Sequence, residues 1–158
     1  MTEGEGSRKW KNLGRRRLLE CPLFARDELD NEGPGGRRGR FIVLDAPDWA
    51  VVVPLLRQGG EESFLMVRQY RHGSGELSLE FPGGVVEPGE EPEAAVRREL
   101  AEETGYRAAS IRLAGSVSPN PAIMANRFHV FVAEGLEPTG RTDLDEQRFQ
   151  RTFGDFLH

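Results

Sequence analysis

The chain has 158 residues, of which 37% are hydrophobic and 30% charged, and its net charge is −5. This length suits one domain with a buried core, and the composition argues against wholesale disorder. The negative charge gives no electrostatic case for binding nucleic acid. A single cysteine, Cys21, excludes an internal disulfide framework and favours a reducing compartment. Neither a membrane-spanning apolar run nor a secretory signal is present, which predicts a cytoplasmic protein without a membrane partner.

The first 45 residues predict a small β extension. Residues 1–7 are polar and glycine-rich and are expected to be disordered. Residues 17–28 predict one edge strand around Pro22, residues 31–36 a turn, and residues 40–45 the returning strand. A segment of about 45 residues is too small to fold alone. The chain therefore divides into an extension, residues 1–45, and a main domain, residues 46–158.

The main domain alternates apolar runs with turns. The runs 50–56 and 63–69 flank Gln58-Gly59-Gly60 and predict a β-hairpin, and residues 77–81 lead into Pro82-Gly83-Gly84. Residues 108–116 predict a strand and residues 118–126 a proline-containing loop. The nearly continuous apolar run over 127–134 indicates a buried strand, in which His129 is expected to be packed.

A helix is predicted between these groups of strands. Pro92 suits the first helical position, nothing from Ala94 to Thr104 breaks a helix, and Gly105 suits the left-handed residue that ends it. At about 100° per residue, Val96 and Leu100 share an apolar face.

Three carboxylates, Glu99, Glu102 and Glu103, border that apolar face. Glu99 and Glu103 form a like-charged i,i+4 pair, which costs about 0.2–0.5 kcal/mol. The last helical turn also favours cations over anions, and a pair between Arg98 and Glu102 offsets only part of this cost. One interpretation is a solvated acidic face. The other is a site completed by a cation, and oxygen ligands favour Mg²⁺ first and Mn²⁺ second.

The spacing of this stretch resembles the Nudix box. The nine defined positions of the box are filled by Gly84, Glu90, Arg98, Glu99, Leu100, Glu102, Glu103, Gly105 and Tyr106. The resemblance implies an α+β fold, the Nudix α/β/α sandwich with a mixed sheet, here with an N-terminal β extension. It also implies a divalent metal site and cleavage of a nucleoside diphosphate linked to another group.

The resemblance also implies roles for individual residues. Metal ligands are expected from Glu99, Glu102 and Glu103 and from the backbone carbonyl of Gly83. Glu102 and Glu103 are also expected to be catalytic, with Arg98 orienting the glutamates. In the branch of the family that this chain resembles, an acidic loop after the box supplies a glutamate that positions or deprotonates the attacking water. Glu146 is the first candidate for this residue in the present chain, and Asp145 is the second. The closing helix of that branch is expected to be absent or reduced to residues 151–157.

Arg68-Gln-Tyr-Arg71 resembles a segment of the ADP-ribose pyrophosphatase branch of that family, in which the second arginine contacts a substrate phosphate or ribose. Arg71 is therefore the first candidate for substrate binding and Arg68 the second, the alternative being a surface arginine paired with a carboxylate. Glu80 matches a glutamate of the same branch and is expected in the substrate site, with metal ligation directly or through water. Trp49 is expected either to stack on a nucleobase or to pack in the core or a dimer interface. Residues 1–45 resemble the N-terminal sheet of proteins in this branch, where that segment helps to form a dimer, and this resemblance implies a homodimer.

These expectations combine into one function, the Mg²⁺-dependent hydrolysis of ADP-ribose or a related nucleoside diphosphate sugar to a nucleoside monophosphate and a sugar phosphate. Three alternative substrates are GDP-mannose, a dinucleoside polyphosphate and a damaged nucleotide. A nucleotide-binding module without turnover is an alternative of another class.

Overall fold

The computed structural model of the chain describes residues 9–140 and 149–152. The expected disordered tail, residues 1–7, lies outside these residues, as do Asp145 and Glu146. The described residues separate into two compact units, one of residues 9–47 with Ser118–Asn126 and the other of Asp48–Val117 with residues 127–140 and 149–152. The division at residue 45 that the sequence suggests stays a prediction.

The first unit contains a three-stranded antiparallel sheet in the order β1-β2-β3. Its strands are β1 (Lys11–Glu20), β2 (Ala25–Glu32) and β3 (Arg38–Asp45). The prediction of one strand over 17–28 is wrong, because the chain reverses around Pro22. Proline cannot donate a ladder hydrogen bond, and the Cys21 amide instead closes a turn onto the Phe24 carbonyl at 3.0 Å. The predicted returning strand is confirmed.

The connections of this unit are short. Pro34–Gly36 forms a 3-10 turn inside the turn predicted over 31–36. The predicted loop 118–126 is confirmed, and it lies beside β3. There Leu44 donates a hydrogen bond to the Ile123 carbonyl at 2.7 Å and accepts one from the Ala125 amide at 3.0 Å.

The second unit contains a mixed sheet in the order β10-β5-β4-β9-β8, with β6 paired to β5 and β7 to β4. Its strands in the described residues are β4 (Trp49–Gln58), β5 (Glu61–Arg71), β6 (Glu76–Glu80), β7 (Gly83–Val85), β8 (Tyr106–Val117), β9 (Phe128–Pro138) and β10 (Phe149–Thr152). β4 and β9 are parallel, whereas the other pairs are antiparallel. The predicted hairpin of β4 and β5 is confirmed, with Gly59 and Gly60 in the left-handed region at its tip.

One helix, α1 (Pro92–Thr104), packs against this sheet in the described part of the chain. It ends as predicted, with Gly105 at φ 69° and its amide bonded to the Ala101 carbonyl at 3.0 Å. Val96 and Leu100 have no exposed surface. They form the core of the unit together with Ala50, Val52, Leu65, Ala95, Phe131 and Ala133. The face of the sheet that carries the inward side chains of β4, β5 and β9 is called the α1 face below.

The end of the described chain is a strand. β10 pairs with β5, so Arg151 and Thr152 are extended, and the rest of the short helix expected over 151–157 lies outside the described residues. No helix in the described residues is both long and apolar enough to span a membrane.

Candidate functional site

The polar edge of α1 lies against the loop that carries Gly83 and Gly84. The Gly83 amide donates a hydrogen bond to the Glu103 carboxylate at 3.0 Å. A Cβ atom placed on Gly84 would collide with the carboxylate of Glu99. Two of the three expected carboxylates therefore contact this loop directly, and glycine at position 84 is what permits the approach.

Arg98 holds several groups of this edge together. Its guanidinium donates to both carboxylate oxygens of Glu90 at 3.2 Å and to Glu99 Oε1 at 2.8 Å. It also reaches Glu102 Oε2 and the Val85 carbonyl, each at 3.3 Å. The hydrogen bond to Glu90, followed by that to Glu99, raises the pKa of Arg98 further above its usual value. Arg98 thus orients the carboxylates, and its predicted pair with Glu102 is confirmed.

Glu90 is a participant to which the sequence analysis assigned no role. Besides accepting from Arg98, its carboxylate accepts the Glu87 amide at 3.0 Å. The hydrogen bond from Arg98 is the main reason that the pKa of Glu90 is lowered. The fixed spacing of Glu90 and Arg98 within the box was the sequence signal from which this contact could have been predicted.

Arg71 and Glu80 form an ion pair across β5 and β6. The Arg71 Nε atom lies 2.9 Å from Glu80 Oε1 and 3.1 Å from Oε2, and Nη2 also bonds Oε2. This contact is the main cause of the lowered pKa of Glu80. The pKa of Arg71 is raised, first by the hydrogen bond to Glu80 and also by the negative charge of Glu103. Arg71 therefore lies within electrostatic range of Glu103 on α1.

Arg68 and Trp49 lie away from this group. On β5 the buried residues Leu65 and Val67 mark the α1 face, which Arg71 shares, whereas Arg68 alternates to the opposite face and is exposed. On β4 the buried Ala50 marks the same face, and its neighbour Trp49 points to the opposite one. With 39% of its surface exposed, Trp49 is not packed in the core of the monomer, which leaves nucleobase stacking or an interface.

The donor set on α1 suits a divalent metal in its chemistry, since it consists of carboxylates beside a loop with no obstructing side chain. Among the described residues, no group of three or more acidic, histidine or cysteine side chains is already arranged to hold an ion. The carboxylates bond Arg98 and the Gly83 amide instead. Position 83 also requires glycine, because a Cβ atom there would collide with the Ala50 carbonyl oxygen.

A second polar cluster lies at the start of β4 and β9. His129 is packed as predicted, with its side chain 15% exposed, and its Nε2 atom lies 3.2 Å from Asp48 Oδ2. The other oxygen of Asp48 accepts the Arg127 amide at 2.7 Å. The sequence analysis missed this contact, and no local spacing announces it, because the parallel pairing of β4 and β9 creates it.

The family model described as NUDIX domain matches residues 46–152. This match covers more than half of the chain. The chain belongs to the Nudix family. Its box is therefore the Nudix box itself, and members of this family use divalent metal ions.

Two curated relatives are similar to this Nudix protein over most of its length. A hydrolase of CMP-5'-(N-acetyl-N-hydroxy-3-aminopropyl)phosphonate from Streptomyces rubellomurinus is 29% identical over 89% of this chain and 69% of its own. An ADP-ribose pyrophosphatase from Bacillus subtilis is 33% identical over 76% of this chain and 64% of its own. The Nudix chain thus spans about two thirds of the length of these relatives.

A solved structure supports the fold. The crystal structure of an ADP compounds hydrolase superposes with a TM-score of 0.75 and 25% identity, covering 92% of this chain and 78% of that one. The fold is the expected Nudix α/β/α sandwich with a mixed sheet, of which α1 is the helix within the described residues. The N-terminal β extension is also confirmed.

Proposed function

We propose that this Nudix protein is a pyrophosphohydrolase that cleaves the pyrophosphate bond of ADP-ribose or a related nucleoside diphosphate sugar with Mg²⁺. The observation that carries the proposal is that the Glu99 and Glu103 carboxylates lie against Gly83–Gly84, with Arg98 bonded to Glu99 and Arg71 within the electrostatic field of Glu103. The names of the relatives, an ADP-ribose pyrophosphatase and an ADP compounds hydrolase, support this substrate class.

In the proposed reaction, water adds to one phosphorus and the bridging P–O bond breaks, giving a nucleoside monophosphate and a sugar phosphate. Arg98 holds Glu99 and Glu102 in place through its hydrogen bonds. Arg71 binds a phosphate oxygen, and a guanidinium suits that role because it pairs with phosphate in a planar, bidentate manner. Glu146 is proposed to position or deprotonate the water, with Asp145 as the second candidate.

Glu99, Glu102, Glu103 and the Gly83 carbonyl are proposed to hold the metal. Two or more divalent ions held there would neutralise charge on the diphosphate and acidify water. We propose Mg²⁺ because all the donors are oxygen atoms, with Mn²⁺ as a substitute.

Incubation of the purified chain with ADP-ribose and Mg²⁺ tests the activity, with AMP and ribose 5-phosphate quantified by chromatography. Hydrolysis that EDTA abolishes and Mg²⁺ restores is the expected result. The Glu103→Gln variant is expected to lose at least about 100-fold in kcat. The control is Glu137→Gln, which removes an exposed carboxylate of β9 that pairs with Arg107 on β8, and it is expected to match the wild type. Equal rates in wild type and Glu103→Gln would contradict the metal-site assignment.

A second substrate class is favoured by the Streptomyces relative, whose name specifies a CMP-linked phosphonate. A panel of ADP-ribose, GDP-mannose, a CDP-linked sugar, a dinucleoside tetraphosphate and an oxidised nucleoside triphosphate separates the possibilities by kcat/KM. ADP-ribose is expected to rank first, and a higher value for the cytidine compound would move the proposal to that class.

We further propose that residues 1–45 form an extension through which two copies of this chain associate, and that the protein acts in the cytoplasm. Exposed large apolar side chains on the N-terminal sheet support the association, among them Leu19, Phe41 and Ile42. Light scattering is expected to give twice the mass of the 158-residue chain, and a monomeric mass at micromolar concentration would contradict it.

A further inference from the structure

The Arg71–Glu80 pair uses only one edge of the arginine. Glu80 occupies the Nε–Nη2 side of the guanidinium. A guanidinium has five N–H donors in a planar fork, so the two of Nη1 and one of Nη2 remain. Nη1 makes no hydrogen bond within the described residues. Within the part of the chain that the structure describes, the arginine is therefore held from one side and its other edge is available to a ligand.

The pair also determines where the guanidinium lies. Glu80 is paired in register with the buried Val67, so both Glu80 and Arg71 lie on the α1 face. Arg71 stands four residues beyond Val67 at the end of β5, and contact with Glu80 requires its side chain to turn back along the strand. In this position the guanidinium lies within the electrostatic field of Glu103.

Glu80 is itself constrained. Its carboxylate accepts from Gln69 Nε2 at 3.4 Å as well as from Arg71, and hydrogen bonds from Arg71, Ser78 and Gln69 all contribute to its lowered pKa. Both carboxylate oxygens are bonded to Arg71. A carboxylate engaged in this way is suited to anchor the arginine, which is a different role from the metal or substrate contact expected from the sequence.

We propose that Glu80 is a positioning residue, which holds Arg71 so that its free edge faces a phosphate of the substrate without itself contacting metal or substrate. This inference rests on the proposed function and deepens it. A guanidinium already ordered by Glu80 loses less conformational freedom on binding phosphate, so the interaction favours affinity. In this proposal the anchor acts on the phosphate contact, and Glu80 is not itself a metal ligand.

A double-mutant cycle of Glu80→Gln and Arg71→Ala tests the proposal, with KM and kcat for ADP-ribose and the half-saturating Mg²⁺ concentration measured for each protein. Glu80→Gln alone is expected to raise KM about tenfold and to leave the Mg²⁺ concentration unchanged. In the Arg71→Ala background the same substitution is expected to change KM by less than about twofold, because residues that act as a unit are not additive.

Two variants control for folding and local charge. Glu80→Asp keeps the carboxylate and is expected to recover part of the lost affinity. If circular dichroism shows that Glu80→Gln does not fold, Glu80→Asp is measured in its place. Glu137→Gln breaks a comparable arginine–glutamate pair between β8 and β9 and is expected to leave all three parameters unchanged.

Additive effects in the cycle, or a higher Mg²⁺ requirement in Glu80→Gln, would overturn the positioning role and favour direct metal ligation. The same cycle measured as ADP-ribose affinity by calorimetry in EDTA separates this from the proposed function. An inactive wild type that binds ADP-ribose would contradict the hydrolase, whereas additive affinities would contradict the role of Glu80.

Discussion

At the scale of single residues, the site depends on how closely backbone and carboxylates approach. Gly84 lies against the Glu99 carboxylate with no room for a side chain. Arg98 distributes its hydrogen bonds among three glutamates and one carbonyl. If these carboxylates hold metal as proposed, small displacements of these groups are expected to affect catalysis more than stability, because metal ligation depends on their exact positions.

Replacing Gly84 with alanine is expected to reduce kcat/KM about 10- to 100-fold, because the added Cβ displaces the carboxylate of Glu99. Gly115→Ala is the matched control, since a Cβ on Gly115 meets no atom within 4 Å. Steady-state kinetics with ADP-ribose measures the effect. Equal loss in both variants would show that the contact with Glu99 is unimportant.

Arg98→Lys is expected to weaken apparent metal affinity about 10- to 100-fold, because an ammonium group cannot reproduce the planar fork that orients the carboxylates. The neighbouring Arg97→Lys is the control, since the partner of Arg97 among the described residues is the half-exposed Glu93 at 2.9 Å. A Mg²⁺ titration of activity compares the two variants. Unchanged half-saturation in Arg98→Lys would remove this positioning role.

At the scale of elements, α1 links the core to the site. Its buried face, which includes Val96 and Leu100, packs on β4, β5 and β9, and its polar edge carries the glutamates. The Gly105 cap ends the helix one residue after Thr104. The same packing that stabilises the unit therefore places the carboxylates beside Gly83 and Gly84.

Leu100→Ala is expected to lower the free energy of unfolding by about 2–5 kcal/mol, since Leu100 has no exposed surface and truncation leaves a cavity. Leu113→Ala makes the same chemical change on β8 at a site that is 55% exposed, and it is expected to cost at most about 0.5 kcal/mol. Urea denaturation measures both. A similar small loss for the two variants would contradict the central place of α1 in the core.

At the scale of the whole molecule, arginine–carboxylate contacts recur in both units. In the first unit the buried Asp27 accepts hydrogen bonds from Arg15 and Arg17, and the bond from Arg17 is the main cause of its lowered pKa. Glu80 and Glu90 have lowered pKa values for the same physical reason. The ionised forms of these carboxylates therefore stabilise the folded protein.

A carboxyl group with a lowered pKa contributes stability above its unfolded pKa, about 4 for Asp and Glu, and loses it as the pH falls through the folded value. Thermal unfolding temperatures are expected to stay nearly constant from about pH 8 to 5 and to fall below about pH 4. Glu80→Gln is expected to show a smaller acid-induced fall than the wild type, whereas Glu137→Gln follows the wild type. A melting temperature that rises on acidification would contradict this assignment.

The features predicted correctly from the sequence are those that depend on neighbouring residues. The start of α1 at Pro92, its end at Gly105 and the glycine turn between β4 and β5 follow from local backbone preferences. The wrong prediction of a single strand across Pro22 also came from local reasoning. A turn of four residues divides what composition alone presents as one apolar strand. The pairing of Arg71 with Glu80 lay beyond local reasoning.

The sequence by itself determined the helix, the spacing of its carboxylates and membership of the Nudix family. The carboxylates lie along one edge because a helix brings residues three and four apart together wherever it forms. Only the tertiary structure decided that Arg71 and Glu80 share the α1 face while Arg68 does not, and that His129 contacts Asp48. These outcomes depend on sheet register. A shift of one residue moves every side chain of a strand to the other face, and the register arises from packing between distant segments of the chain.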